Sequence, residues 1–227
     1  MLDQRQHSML DAMGIQLWSR RQQHQPGDIV DVTQPDEAEE QLHDWESLQQ
    51  AVETCHRCGL AATRTQTVFG AGNQHAELMI IGEAPGADED RQGEPFVGRA
   101  GQLLNQMLLA CGFSREQVYI ANILKCRPQG NRNPSPEEMI SCRHYLNRQI
   151  ELVAPKLLLA VGGVAATSLL DSDKPVGQLR GELYHYGGQK VPMIVTYHPA
   201  YLLRQPSEKR KSWEDLQFAM RKLGDLS

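Results

Sequence analysis

Four of the five cysteines in this 227-residue sequence fall into two groups that invite metal chemistry. Cys55 and Cys58 form a C-x2-C pair, while Cys126 and Cys142 are separated by fifteen residues that hold a loop (RPQGNRNPSP) and the start of a helix. Four thiolates can hold either a tetrahedral zinc ion or a 4Fe-4S cluster, and the spacing alone does not choose between them. Disulfides are the poorer reading, because the chain is expected to be cytoplasmic, where thiols stay reduced. Cys111 stands apart in an apolar helix end (LLACGF) and reads as an ordinary buried thiol. A second set of groups closes three separate apolar runs: Gly82-Glu83, Asn122 and His198. Three polar groups placed so that they can converge on one crevice are a signal of function.

The elements that must position these groups alternate along the chain. Short, continuous apolar runs at 78–82 (LMIIG), 118–124 (VYIANIL), 156–162 (KLLLAVG) and 192–197 (PMIVTY) predict buried strands. Helices are expected over 100–111, 135–153 and 163–170, the second opened by Ser135 as N-cap, Pro136 and two acidic residues. A further short amphipathic helix (WESLQQAVETC) is expected after Asp44. The sum is a three-layer α/β/α domain with a largely parallel sheet. In such sheets ligands gather beyond the carboxyl ends of the strands, where Gly82-Glu83, Asn122 and His198 all fall.

Charge separates the chain into two parts. Residues 1–50 carry three Lys and Arg against ten Asp and Glu, which leaves 20 against 18 of the totals of 23 and 28, or +2, for the remainder. The acidity belongs to the leader, and a mildly basic body is compatible with phosphate contacts without demonstrating them. No apolar run approaches the roughly 18 residues of a spanning helix, and the first thirty residues lack the pattern of a secretory signal. The expected organisation is a helical arm over 1–24, an acidic flexible linker rich in Pro and Gly over 25–43, and a catalytic body over 44–227.

The stretches GEAPGADEDRQGEPFVGRAGQLL, NILKCRPQGNRNPSPEE and HPAYLLR, in that order and spacing, resemble the signature blocks of family 4 uracil-DNA glycosylases. The resemblance runs roughly from Cys55 to Leu223. It implies the uracil-DNA glycosylase-like fold and a 4Fe-4S cluster on Cys55, Cys58, Cys126 and Cys142, and thereby favours iron-sulfur over zinc. It further implies that Glu83, within the turn Gly82, Ala84, Pro85, Gly86, belongs to the first active-site motif and that Phe96 stacks on uracil. Asn122 would read the pyrimidine edge and His198 would lie near uracil O2. Taken singly each has a plainer explanation: a His before Pro is ordinarily a turn residue, a Phe beside Pro core, and GEAPG a tight turn or anion nest. Their joint occurrence is what carries weight.

The chemistry fits these roles. Acting on a base requires rotating the nucleotide out of the duplex into a pocket with a stacking ring and fixed hydrogen-bond partners. An amide can pair with O4 and N3–H of uracil, whereas cytosine presents the opposite donor and acceptor there. Breaking the glycosidic bond puts negative charge on uracil, so a donor aimed at O2 is the useful catalyst, a role for His198 assisted by N–H groups of the 82–86 turn. Water activation is open among Glu83, Asp88, Glu89 and Asp90. Arg204, Lys209, Arg210 and Lys211 follow His198 and are expected to contact phosphates.

The leader carries a separate resemblance. LDAMGIQLWSRR is similar to the clamp-loader-binding peptide of the psi subunit of bacterial DNA polymerase III, with Leu10, Met13, Ile15 and Trp18 as the docking residues. Two function classes are therefore expected: a monomeric base-excision enzyme acting on uracil-containing DNA, or a non-catalytic replisome subunit that retains the glycosylase fold. Intact Glu83, Phe96, Asn122 and His198 favour the enzyme.

Overall fold

The computed structural model describes residues 44–188 and 190–226. The arm, including Leu10, Met13, Ile15 and Trp18, and the linker lie outside the described residues.

The first helix, α1 (Trp45–Glu53), opens on Asp44, whose side chain accepts from Ser47 N while Ser47 Oγ accepts from Asp44 N. This reciprocal cap satisfies two N–H groups that a helix start leaves without partners. One turn apart, Leu48 and Val52 turn inward. Then follow β1 (Ala71–Gly72), β2 (Leu78–Gly82), α2 (Ala87–Gln92), α3 (Arg99–Ala110), β3 (Tyr119–Asn122) and α4 (Pro136–Val153). The remainder is β4 (Leu157–Val161), α5 (Gly163–Leu170), α6 (Val176–Leu179), β5 (Leu183–Tyr186), β6 (Val191–Thr196), α7 (Pro199–Arg204) and α8 (Lys209–Asp225). As its sequence suggests, α4 begins on Ser135, whose Oγ accepts from Glu138 N, and Pro136 sits where its missing N–H is harmless.

The sheet is mixed, with order β1-β3-β2-β4-β6-β5. Its four central strands run parallel, while β1 and β5 close the two edges antiparallel. The expectation of a largely parallel sheet holds for the centre and misses the edges, because neither edge strand announces itself by an apolar run. Only two residues long, β1 includes Gly72 at φ +117, and β5 (LYHY) is half-exposed along its length. The central strands β2 and β4 are buried at every residue, as strands covered on both faces must be.

Alternation along these strands divides the interior into two cores. Met79, Ile81, Ala121, Leu158, Ala160, Met193 and Val195 face the layer built by α1, α4, α5 and α6. Their neighbours Leu78, Ile80, Ile120, Leu157, Leu159, Val161 and Ile194 face the layer of α3 and α8. The period of two side chains per strand repeat is what produces three layers. From β2 the chain leaves toward β3 on one side, and from β4 toward β6 on the other. The strand ends around this switch point open a crevice, the place where ligands enter sheets of this kind.

Candidate active site

That crevice is a cleft of about 820 Å³, and the polar groups expected at the strand ends converge on it. Glu83, Ala84, Pro85 and Gly86 come from the turn after β2, Asn122 from the end of β3, and His198 from the residues after β6. Phe96 lines it from the loop between α2 and α3, and Arg204 from the end of α7. Gly82 lies beneath rather than on the cleft surface, and its register partner across the parallel ladder is Asn122. A Cβ at Gly82 would collide with Asn122 Oδ1 and lie 2.6 Å from Phe96 Cζ, so only glycine lets the amide and the ring close over the strand end.

Asn122 is 2 % exposed, and its Oδ1 is the one buried side-chain oxygen or nitrogen without a hydrogen-bond partner among the described residues. An orphaned acceptor of this kind costs about 1–3 kcal/mol unless a ligand satisfies it. His198 caps α7, its Nδ1 accepting from Ala200 N at 3.1 Å. That bond assigns the proton to Nε2 when the ring is neutral, leaving Nε2–H as the donor for a ligand. Burial, reinforced by the Arg204 charge and opposed by Glu89, pushes its pKa down to about 4, so the ring is neutral at physiological pH. Gly162 at φ +99 backs the imidazole, since a Cβ there would lie 2.9 Å from His198 Cβ. Phe96 packs its ring against His198 with centroids 5.5 Å apart.

The carboxylates sort themselves by partner. Glu89 Oε1 accepts from Val97 N and Gly98 N at 3.0 and 3.1 Å, and Oε2 accepts from Gly86 N at 3.1 Å, tying the two loops of the cleft together. Asp90 is buried and accepts from Thr65 N and Oγ1. Asp88 pairs with Arg91. Glu83 alone of the four faces the cleft without a side-chain hydrogen bond among the described residues, and burial raises its pKa above the ordinary glutamate value. Within the 82–86 turn Pro85 has no N–H and the Gly86 N–H is held by Glu89.

Cys55, Cys58, Cys126 and Cys142 line one small cavity together with Val52, Leu60, Ala61 and Tyr145. Cys111 is not among them; it is half-buried against the α3 and α8 layer. Among the described residues no three His, Cys, Asp or Glu side chains group closely enough to hold a single metal ion. Burial pushes the Cys142 thiol up to about 12 and raises that of Cys126. Donors surround the sulfurs: Arg64 Nη1 donates to Cys126 Sγ at 3.1 Å, and Lys125 N to Cys142 Sγ at 3.4 Å. Lys125 is 1 % exposed, and its ammonium donates to Asn122 O at 2.9 Å and Gln149 Oε1 at 2.6 Å. The cavity and the cleft are thus joined through one side chain.

Of the expected phosphate contacts, only Arg204 lines the cleft. Lys209, Arg210 and Lys211 form the first turn of α8, where Lys211 pairs with Glu208 and Arg210 with Glu214. The structure adds Arg132 and Asn133, on the loop after Cys126, to the cleft lining, with Tyr197 and Tyr201 from the segments flanking His198. Arg132 is held by Glu138 at 2.6 and 2.9 Å, a fork that lowers the Glu138 pKa to about 2. A basic residue in a Pro- and Asn-rich loop that leaves the Asn122 strand was the available signal for it.

Comparison with known proteins gives the family. The family model described as the uracil DNA glycosylase superfamily matches residues 69–217. A type-4 uracil-DNA glycosylase of Archaeoglobus fulgidus is 43 % identical over 179 residues, covering 76 % of this chain and 88 % of that one. The corresponding protein of Thermotoga maritima is 43 % identical over 178 residues, 77 % of this chain and 92 % of the relative. That of Pyrobaculum aerophilum is 38 % identical over 179 residues, 76 % and 91 % respectively. With the cleft, its strand-end residues and the matches along one continuous stretch, the chain belongs to the uracil DNA glycosylase superfamily and, within it, to the type-4 uracil-DNA glycosylases.

Proposed function

We propose that this uracil-DNA glycosylase takes a flipped-out deoxyuridine into the cleft and hydrolyses its N-glycosidic bond using Asn122, Phe96, His198 and Glu83. The observation that carries the reading is the orphaned Asn122 Oδ1. Uracil N3–H is the donor that would satisfy it, with Asn122 Nδ2 donating to O4; cytosine offers an acceptor at N3 and a donor at C4, leaving both pairings unmade. Each failure costs about 1–3 kcal/mol in a dry site.

As the N1–C1′ bond breaks, its electron pair passes to the uracil ring and appears at O2. The Nε2–H of neutral His198 supplies a hydrogen bond there. Water adds to C1′ of the sugar and yields its proton to a base, for which Glu83 is the cleft carboxylate not already engaged. Arg204 and Arg132 flank the cleft as contacts for backbone phosphates. Lys209, Arg210 and Lys211 extend that surface; three cations opening a helix oppose its dipole, an arrangement a bound phosphate would relieve. Incubating the chain with a uracil-containing oligonucleotide and then alkali should give strand scission at uracil alone; an intact strand after saturating enzyme would sink the proposal.

A 4Fe-4S cluster would be held by Cys55, Cys58, Cys126 and Cys142. The four-sulfur donor set, its N–H···S bonds and its apolar shell suit such a group. Four sulfurs around one cavity suit either a cluster or zinc, and the likeness to the type-4 enzymes is what favours the cluster. When bound it would cross-link the segment after α1, the loop after β3 and α4. Anaerobically prepared protein should contain about four irons per chain; stoichiometric zinc without iron would refute the assignment.

Residues 1–24 are proposed to dock on a replicative clamp loader through Leu10, Met13, Ile15 and Trp18, a reading supported by the sequence pattern alone. Deleting them should leave excision on short oligonucleotides intact and abolish co-purification with clamp-loader subunits. Loss of excision in the deletion would overturn it.

A further inference from the structure

The stacking ring sits on a strained piece of backbone. Phe96 has φ +54, a left-handed conformation that bulky side chains rarely adopt, and persists only where the surroundings over-determine it. Below it α3 presses close, since a Cβ at Gly101 would collide with Phe96 O. On its C-terminal side Glu89 holds the N–H groups of Val97 and Gly98. On its N-terminal side a single guanidinium grips three consecutive residues: Arg115 donates to Glu94 Oε1 at 3.0 and 3.1 Å, to the Pro95 carbonyl, and to Phe96 O at 3.3 Å. Its Nη1 also donates to Asn105 Oδ1 at 3.3 Å, on α3. Arg115 is only 16 % exposed and does not line the cleft.

We propose that Arg115 is a positioning residue for uracil recognition: it locks the 94–96 backbone in the strained turn that presents the Phe96 ring to the base. Four acceptors, the Glu94 carboxylate, the Pro95 and Phe96 carbonyls and Asn105 Oδ1, share one guanidinium fork that lysine cannot imitate, so the role is specific to arginine. The inference rests on Phe96 stacking on uracil, as proposed above, and deepens it. A ring displaced by about 1 Å weakens both uracil affinity and the rate, on the order of 10- to 100-fold together.

The test uses the full-length chain and reads inhibition by free uracil, the single-turnover rate on a uracil-containing oligonucleotide, and iron content. Arg115→Ala should raise the uracil inhibition constant and slow turnover, leave iron content unchanged, and recover on adding ethylguanidinium, which refills the vacated fork. Arg115→Lys should fall between the two, keeping the Glu94 pair but losing the carbonyl bonds; it carries the comparison if the alanine variant does not fold. In a Phe96→Ala background the Arg115 substitution should add nothing. Native uracil inhibition in both Arg115 variants, no recovery with ethylguanidinium, or an additive effect on Phe96→Ala would overturn the proposal while the stacking role stands. A Phe96→Ala variant with unaltered uracil inhibition would instead remove the stacking reading and this proposal with it.

Discussion

The cleft and the cysteine cavity begin four residues apart on one strand end, at Asn122 and Cys126, and are built on opposite terms. In the cleft, hydrogen-bonding capacity is left unused: among the described residues Asn122 Oδ1 and the Glu83 carboxylate find no side-chain partners, and His198 keeps one donor in hand. Around the cysteines capacity is spent: Arg64 and Lys125 N address the sulfurs, and the Lys125 ammonium bridges two acceptors. A site that must recognise a transient ligand holds its polar groups unsatisfied at some expense in stability, while a site that anchors the fold satisfies them. Recognition and anchorage are therefore distinguishable from hydrogen-bond accounting alone.

The comparison breaks most visibly at His198. His198→Ala should lower the single-turnover rate by about 10²- to 10³-fold, the usual consequence of losing one donor to developing charge, with DNA affinity nearly unchanged. A variant with native single-turnover kinetics would take His198 out of the chemistry. On the anchoring side, if the proposed cluster is bound, Cys126→Ser should bleach the protein and destabilise it by about 2–4 kcal/mol, the range for losing a covalent closure of a long loop. For a chain of this size that corresponds to roughly 4–16 °C in the thermal midpoint, and an unshifted midpoint in the bleached variant would refute an anchoring role.

Smaller substitutions sharpen the boundary between the two regions. Asn122→Asp should erode the preference for uracil over cytosine by about 1–3 kcal/mol, because a carboxylate cannot donate to O4. Competition between the two oligonucleotides measures it, and unchanged preference would assign base reading elsewhere. Lys125→Met leaves Asn122 O and Gln149 Oε1 without their donor, so it should cost about 1–3 kcal/mol per stranded acceptor. Its informative outcome is uracil preference with iron content held constant: a fall shows that the link between cavity and cleft positions Asn122, and no fall limits it to stability.

The smallest effect concerns pH. With its pKa lowered to about 4, His198 stays neutral and donating from mildly acid to neutral pH, so its own titration should leave no limb there. The Glu83 pKa is raised, so as pH falls Glu83 is the first of the two to lose its competent form, and activity should decline with it. Glu83→Gln should remove that acid limb, and His198→Ala should retain it. The same depressed histidine makes the native state less stable as pH falls from the ordinary histidine value toward about 4, where the unfolded chain binds a proton that the folded one refuses.

Much of this was legible in the residues. The four central strands and α3, α4 and α5 are continuous apolar runs or helical periods, α4 with a side-chain cap as well, so LMIIG over 78–82 and GVAATSLL over 163–170 fall within their observed bounds. Glu83, Asn122 and His198 were legible because strand ends in such sheets face one crevice. What escaped depends on tertiary pairing. β1 and β5 are defined by antiparallel partners rather than by their own composition. Glu89 as a clamp, Arg115 as a grip and Lys125 as a bridge each bond residues that the sequence does not mark as neighbours. Lys125 was concealed most completely, since a lysine beside a cysteine gives no hint that its ammonium is buried between a backbone carbonyl and a glutamine side chain.

The two cores on opposite faces of the sheet carry a consequence for how the protein comes apart. All four cavity cysteines belong to or pack on the core beneath α1 and α4, and none touches the core of α3 and α8. Oxidative damage at the cysteines should therefore melt one layer as a sub-global unit, with amides of α1 and α4 exchanging early while those of α3 remain protected. Phe96 belongs to the surviving layer and Asn122 hangs on the damaged one through Lys125. A partly oxidised molecule would then keep its stacking surface and lose its base reader, holding DNA without telling uracil from cytosine.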